Sequence, residues 1–343
     1  MAVTGSVRLT TFIGLTTVLV IGAGLCVVVA VNRASARADA APKVAVTRVA
    51  SLEGAPHVVF RNTEIGSRYG LVSIVSLADP RGPRAFTDVA CDRVYAAAGT
   101  ASCLRTKRGL ATTFQAVQLD AEWDEVESWG LPGIPSRTRV SADGTLLATT
   151  SFVTGHTYMQ VGFSTATDIR EVGRRDLGNL EQFRLVVDGR TVRPSDRNIW
   201  GVTFARDDDT FYATVATGGT TYLARGDLSA RTLTTLRKGA ECPSLSPDGS
   251  QIAFKHDVGG SAPYWQIVVL DLASGRAVTL DGETRNVDDQ VEWLDDDSLL
   301  YGLPREGETG VSDIWRIRTT SGAKPSIFIE QAWSPSIVRS AGR

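Results

Sequence analysis

A chain of 343 residues is long enough to bury one large core or two modest ones. Its 36 basic and 38 acidic residues leave no field of one sign. Beyond residue 48 the chain holds 31 basic and 37 acidic side chains, which argues against the basic face that nucleic acid binding needs.

In chain order, residues 1–9 form a short stub and residues 10–31 an apolar segment. Phe12–Val31 carries no charged group, and about 20 apolar residues suffice to cross a bilayer. Two readings stay open. An uncleaved anchor fits the length of the run. A cleavable signal fits Ala36-Arg37-Ala38, a small-residue site near Ala38. Leu25 stands before Cys26 where a lipoprotein site wants a small residue, which argues against lipidation. Arg8 precedes the segment and Arg33 and Arg37 follow it, so the positive-inside rule alone places the rest of the chain in the cytoplasm. The possible cleavage site and the cysteines point to an extracytoplasmic position, and that is the expectation taken here. Residues 32–45, rich in Ala and Arg, read as a linker, and residues 46–343 as one folded domain.

That domain is a repeat. Ser246-Pro247-Asp248-Gly249 runs into the strand-like Ile252-Ala253-Phe254, and degraded copies recur: Ser141-Ala142-Asp143-Gly144, Asp207-Asp208-Asp209, Asp295-Asp296-Asp297 and the unfinished Trp333-Ser334-Pro335. The anchors Val140, Phe204, Leu245, Trp293 and Trp333 lie 64, 41, 48 and 40 residues apart, a propeller-like period. A plausible earlier copy spans Val89–Tyr95, and another begins near Val49. Six β-branched runs follow in phase: 70–77, 113–119, 158–163, 221–225, 265–270 and 314–318. The expected fold is an all-β, six-bladed β-propeller. An insertion over about 171–198 accounts for the long spacing and is placed in blade three. The segment at Trp333–Val338 is expected to pair beside the first blade and close the ring.

The SPDG-type turn, with its hydrophobic strand and the Ile267-Val268-Val269-Leu270-Asp271-Leu272 strand, resembles the TolB-like propeller family and its PD40 (WD40-like) repeats. The resemblance covers about residues 46–340 and is clearest over 241–335. Residues 1–45 do not resemble the TolB amino-terminal domain. The resemblance implies an extracytoplasmic binding platform.

Little in the sequence announces chemistry. His57, His156 and His256 fall in different blades. There is no H-E-x-x-H, no G-x-S-x-G elbow and no C-x-x-C pair, and no cofactor or metal is expected. The acidic triplets occupy the turn slot of Asp248-Gly249 and read as turns before metal sites. Cys91 and Cys103 flank a hairpin around Ala97–Thr100, so they form either a disulfide or two buried thiols. Cys242 has no obvious mate. Trp293 and Trp333 share a repeat position and read as packing between blades. The candidate binding surface is Trp123 and Trp129, with acidic neighbours, and Asp288 with Asp289, placed near a rim of the ring. These observations together predict a monomeric, non-catalytic propeller at the membrane that binds an envelope protein or peptide. The alternative is a carbohydrate-binding or hydrolytic propeller working through funnel carboxylates.

Overall fold

The computed structural model describes residues 4–38, 44–153, 164–174, 176–260 and 262–339. It divides into a helical unit and a β unit. The helix α1 (Thr4–Ala38) contains a 22-residue stretch, Phe12–Arg33, of mean hydropathy 2.5, long and apolar enough to cross a bilayer. Within it the Thr16 and Thr17 hydroxyls donate to the carbonyls of Phe12 and Ile13 at 2.9 and 2.8 Å, so each is satisfied within the helix.

The β unit is a six-bladed propeller. Blade one contributes β1 (His57–Asn62), β2 (Leu71–Ser76) and β3 (Ala85–Ala90). Blade two is β4 (Arg93–Ala97), β5 (Thr100–Lys107), β6 (Thr113–Leu119) and β7 (Glu125–Leu131). Blade three is β8 (Ile134–Val140), β9 (Leu146–Val153), β10 (Ser164–Glu171) and β11 (Asp176–Asn179). A short hairpin follows, β12 (Arg184–Val187) and β13 (Arg190–Val192). Blade four is β14 (Asn198–Phe204), β15 (Thr210–Thr217), β16 (Thr220–Asp227) and β17 (Thr232–Lys238). Blade five is β18 (Glu241–Leu245), β19 (Gln251–Asp257), β20 (Trp265–Asp271) and β21 (Ala277–Thr279). Blade six is β22 (Glu292–Asp295), β23 (Ser298–Pro304), β24 (Ser312–Arg318) and β25 (Ser326–Ile329). The last strand, β26 (Ala332–Val338), pairs antiparallel with β1, His57 opposite Val338, and completes blade one.

The first strand of each blade packs on its counterparts, β26 on β4, β4 on β8, β8 on β14, β14 on β18 and β22 on both β18 and β26. These six strands therefore surround the ring axis. Apolar clusters fill the seams between neighbouring sheets, as in the packing of Ala253, Ile267 and Val269 from blade five against Trp293, Leu299 and Tyr301 from blade six. Burying each such side chain fully contributes about 1.5–3 kcal/mol. The seam between blades two and three carries polar contacts instead, including Ser102 Oγ to Thr138 Oγ1 at 2.6 Å and Arg170 over the Trp129 ring at 4.2 Å.

Two boundaries differ from the sequence expectation, and a third expectation falls outside the described residues. The inserted hairpin belongs to blade four, not blade three. β12 pairs parallel with β17 (Leu185 opposite Leu233), making a six-stranded sheet, while β11 completes blade three. Leu180, Phe183 and Leu185 drive this placement by burying themselves with Phe211 and Leu233 of blade four. The third strand of blade three is β10, and the run 158–163 lies outside the described residues. Val49 opens a 3-10 turn rather than a strand, because the inner strand of blade one is β26.

Cys91 and Cys103 form a disulfide, with Cα atoms 5.5 Å apart, across the β4–β5 hairpin. Ala98 and Gly99 supply the two positive φ angles, 46° and 77°, that a tight two-residue turn requires. The chain-entropy model predicts that a Cys91→Ala/Cys103→Ala variant loses about 3 kcal/mol in chemical denaturation. Trp333 on β26 lies close against Gly302 on β23, where an added Cβ would meet the indole at 2.3 Å. Gly302→Ala is expected to cost about 1–3 kcal/mol and to lower the melting temperature, because it forces the closing strand off blade six.

Candidate functional site

Residues two apart on a strand share a face, and this rule places a charged cluster at the ring axis. Arg93 and Tyr95 lie on β4, and Arg137 and Arg139 on β8, as two such pairs. Asp288 and Asp289 come from the loop between β21 and β22, Glu292 opens β22, and Lys255 and Glu241 come from blade five. Lys255 Nζ bonds Asp288 Oδ1 at 2.6 Å, with Arg137 Nη2 3.8 Å from the same oxygen. Arg93 Nη1 lies 3.2 Å from Asp289 Oδ1, and the Gly302 amide donates to Asp289 Oδ2 at 3.0 Å. Deeper in, Arg139 pairs with Glu292, and the Tyr95 hydroxyl donates to the same carboxylate at 3.1 Å. Aromatic rings back three of the cations: Trp333 under Arg93 (4.9 Å), Tyr95 under Arg139 (4.5 Å) and Trp265 under Lys255 (4.2 Å).

Burial and charge set the protonation states. Burial, with Arg137 nearby, brings Arg93 down to about 10, still charged at neutral pH. Burial and the Glu292 carboxylate push Tyr95 up to about 12, so it remains a donor. Desolvation alone would raise the Asp288 carboxyl, but Lys255, then Arg137 and Arg93, outweigh it and hold the group ionised below its usual range. Burial pushes Glu241 up, against the opposing pull of Lys255. The Asp288 side chain is 58% exposed while that of Lys255 is 3% exposed, so Asp288 is the face this cluster shows to solvent.

The sequence candidates separate into three places. Asp288 and Asp289 stand at the axis but face apart, one toward solvent and one buried against Arg93. Trp123, after β6, packs with Val49 and Leu52 against the core around the disulfide, and its Nε1 donates to Glu53 at 3.0 Å. Trp129 lies on β7, the outer strand of blade two, under Arg170. The four cations escaped the sequence reading. Their signal is a charged residue in a strand that is otherwise apolar or small, as in Ser136-Arg137-Thr138-Arg139-Val140 and Ile252-Ala253-Phe254-Lys255.

His57 and His256 bond backbone carbonyls of Ala55 and Gly239 at 2.8 and 2.6 Å, away from this cluster, and His156 lies outside the described residues. The acidic turns satisfy themselves. Asp248 accepts from the Ser246 hydroxyl and the Ser250 amide, Asp207 from the Thr210 amide, and Asp295 from the Asp297 amide. Among the described residues no group of three His, Cys, Asp or Glu side chains has the arrangement of a metal site.

No protein-family model and no curated protein matches the chain. Solved structures do. TolB from Acinetobacter baumannii is similar with a TM-score of 0.56 and 16% identity, over 83% of this chain and 67% of that one. A putative TolB from Agrobacterium tumefaciens gives a TM-score of 0.47 at 12% identity, over 80% of this chain and 88% of that one. A chain of a nidogen/laminin complex gives 0.51 at 10% identity, over 84% of this chain and all of that one. The fold is thus that of the TolB-like six-bladed propellers, and a fold alone does not choose between binding and catalysis.

One pair of turns yields a pH prediction. Burial and the neighbouring Asp143 push Asp208 up to about 6. A carboxyl raised on folding contributes stability at low pH that is lost as pH rises through its folded value. Asp208→Asn should therefore raise the melting temperature at pH 8 more than at pH 4.5. Asn also tolerates the φ of 53° at this position. Equal shifts at both pH values would contradict the assignment.

Proposed function

We propose that this chain is a non-catalytic binding propeller of the cell envelope, tethered to the membrane through α1 with the ring outside the cytoplasm, and that it recognises an extended protein or peptide segment at the charged mouth of its ring. The observation that carries this reading is the pairing at the mouth. Asp288, Asp289 and Glu292 are each held by a cation, and Asp288 presents the network to solvent. Such groups are fixed for recognition of charge and poorly placed to pass a proton. The loops and strand ends of a propeller surround this mouth, and loops on a rigid scaffold commonly carry binding.

The second reading, a sugar-binding or hydrolytic propeller, has one observation in its favour. Burial raises the carboxyl of Glu241 while Lys255 helps hold that of Asp288 down, and carboxyls driven apart in this way are the mark of acid–base pairs. Both groups share Lys255 as their cation, which ties them to the ion-pair network.

The test is capture of the full-length, detergent-solubilised protein with its envelope partner. Asp288→Asn, which keeps the side-chain shape but removes the carboxylate facing Lys255, should weaken recovery of a stoichiometric partner about tenfold while circular dichroism shows the ring still folded. Recovery unaffected by the substitution, or repeated recovery of no partner, would overturn the mouth as the binding site. Protease accessibility on intact cells reads the orientation, which predicts cleavage of the propeller from outside.

A further inference from the structure

A propeller exposes one outer strand edge per blade, and a long open edge invites pairing with another chain. In this ring five of those edges are short or flanked. The outer strands β11, β21 and β25 have 4, 3 and 4 residues. The seven-residue β17 is covered by the β12–β13 hairpin, whose own edge strand has 3 residues. The start of β3 is flanked by residues 45–47, with Val46 bridged to Arg84 and the Thr47 amide bonded to the Arg84 carbonyl at 3.1 Å. The exception is β7. It has seven residues, and among the described residues its only strand neighbour is β6.

We propose that β7 is a docking edge that takes an extended, basic segment of a partner protein as a fifth strand of blade two. The inference rests on the reading of the chain as a binding scaffold but uses a surface other than the channel mouth. Charge selects the occupant. Glu122, Asp124, Glu125 and Glu127 are all exposed along the edge and the turn before it. Two copies of the chain pairing here would set carboxylate against carboxylate, whereas a strand bearing Lys or Arg meets opposite charge, Glu127 on one face and, across the register shift between Gln118 and Leu119, Glu125 on the other. Glu125 and Glu127 already face the cations Arg105 and Arg170 on their inner side, at 2.8 and 3.1 Å, which holds both carboxylates in place.

The two faces of β7 suit an incoming strand differently. Glu127 and Trp129 lie on one face and both meet Arg170, at the edge of a cavity of about 100 Å³ that also includes Gln118 and Asp176. Every second side chain of an added strand would fall on this side. On the other face Val126 is 56% exposed, and no atom lies within 4 Å of where a Cβ on Gly130 would stand. A partner side chain can cross there without obstruction.

The probe is a synthetic alternating Lys-Val peptide of about eight residues, a length matched to one strand, titrated into the full-length protein in detergent. The readouts are the dissociation constant and amide hydrogen exchange. Binding should protect amides across 125–131. Glu125→Lys/Glu127→Lys should weaken it about tenfold and let an alternating Glu-Val peptide bind in its place. Should that variant misfold by circular dichroism, Glu122→Lys/Asp124→Lys, in the exposed turn, should give about a threefold loss. Several outcomes overturn the proposal: no binding of the Lys-Val peptide, or equal binding by a Lys-Pro peptide that carries the charge but cannot pair as a strand. Protection confined to 281–292 would also overturn it while leaving the mouth reading intact. Concentration-dependent protection of β7 without peptide would assign the edge to a second copy.

Discussion

The structure depends on the pairing of its two ends. β26 lies between β1 and the ring axis, so blade one is built from the last strand and the first three. Until His57–Asn62 meets Ala332–Val338, the first blade lacks its inner strand and the apolar surface of Leu300, Ile314 and Ile329 lacks its cover from Val58, Phe60 and Ile337. The same strand carries Trp333, which covers Gly302 of blade six and backs Arg93 of blade two. One seven-residue segment thus joins three blades and forms part of the wall around the charged mouth.

That mouth is made of side chains brought from distant parts of the chain. Arg93, Arg139 and Lys255 come from blades two, three and five, and each meets a carboxylate supplied by the approach to blade six or its first strand. Removing one member of a buried pair leaves a charge uncompensated, which typically costs 3–5 kcal/mol. The network therefore constrains the axis as strongly as it marks it. Its exposed member, Asp288, is the one with least to lose by exchanging partners.

The repeat was legible because turn chemistry and strand alternation recur locally: an acidic turn, then a strand with one buried face, within ten residues. The closing strand was legible for the same reason, through the copy at Trp333-Ser334-Pro335. The inserted hairpin was legible as an insertion, from the long spacing, but not in its place. Its assignment depends on β12 lying parallel to β17, with Arg184 opposite Thr232, and such a pairing has no local signal. Of the binding candidates, Asp288 and Asp289 were visible as an acidic pair before a first strand. The cations that give them meaning lie in other blades at no fixed spacing. Trp123 stood out because acidic residues surround it in sequence; in the structure it packs against the core around the disulfide, with its Nε1 donating to Glu53.

The position of β1 has a mechanical consequence. Tension applied to the chain before Val44 first reaches residues 45–53, held by the Arg84 backbone bonds and the Trp123–Glu53 contact, which can peel away one at a time. The load then arrives at a strand flanked on both sides, by β26 and β2. Pulling along β1 loads both ladders in shear, so many hydrogen bonds must yield together. Residues 45–53 are a compliant element in series with a stiff one, and a ring pulled from this end can be tugged without being opened.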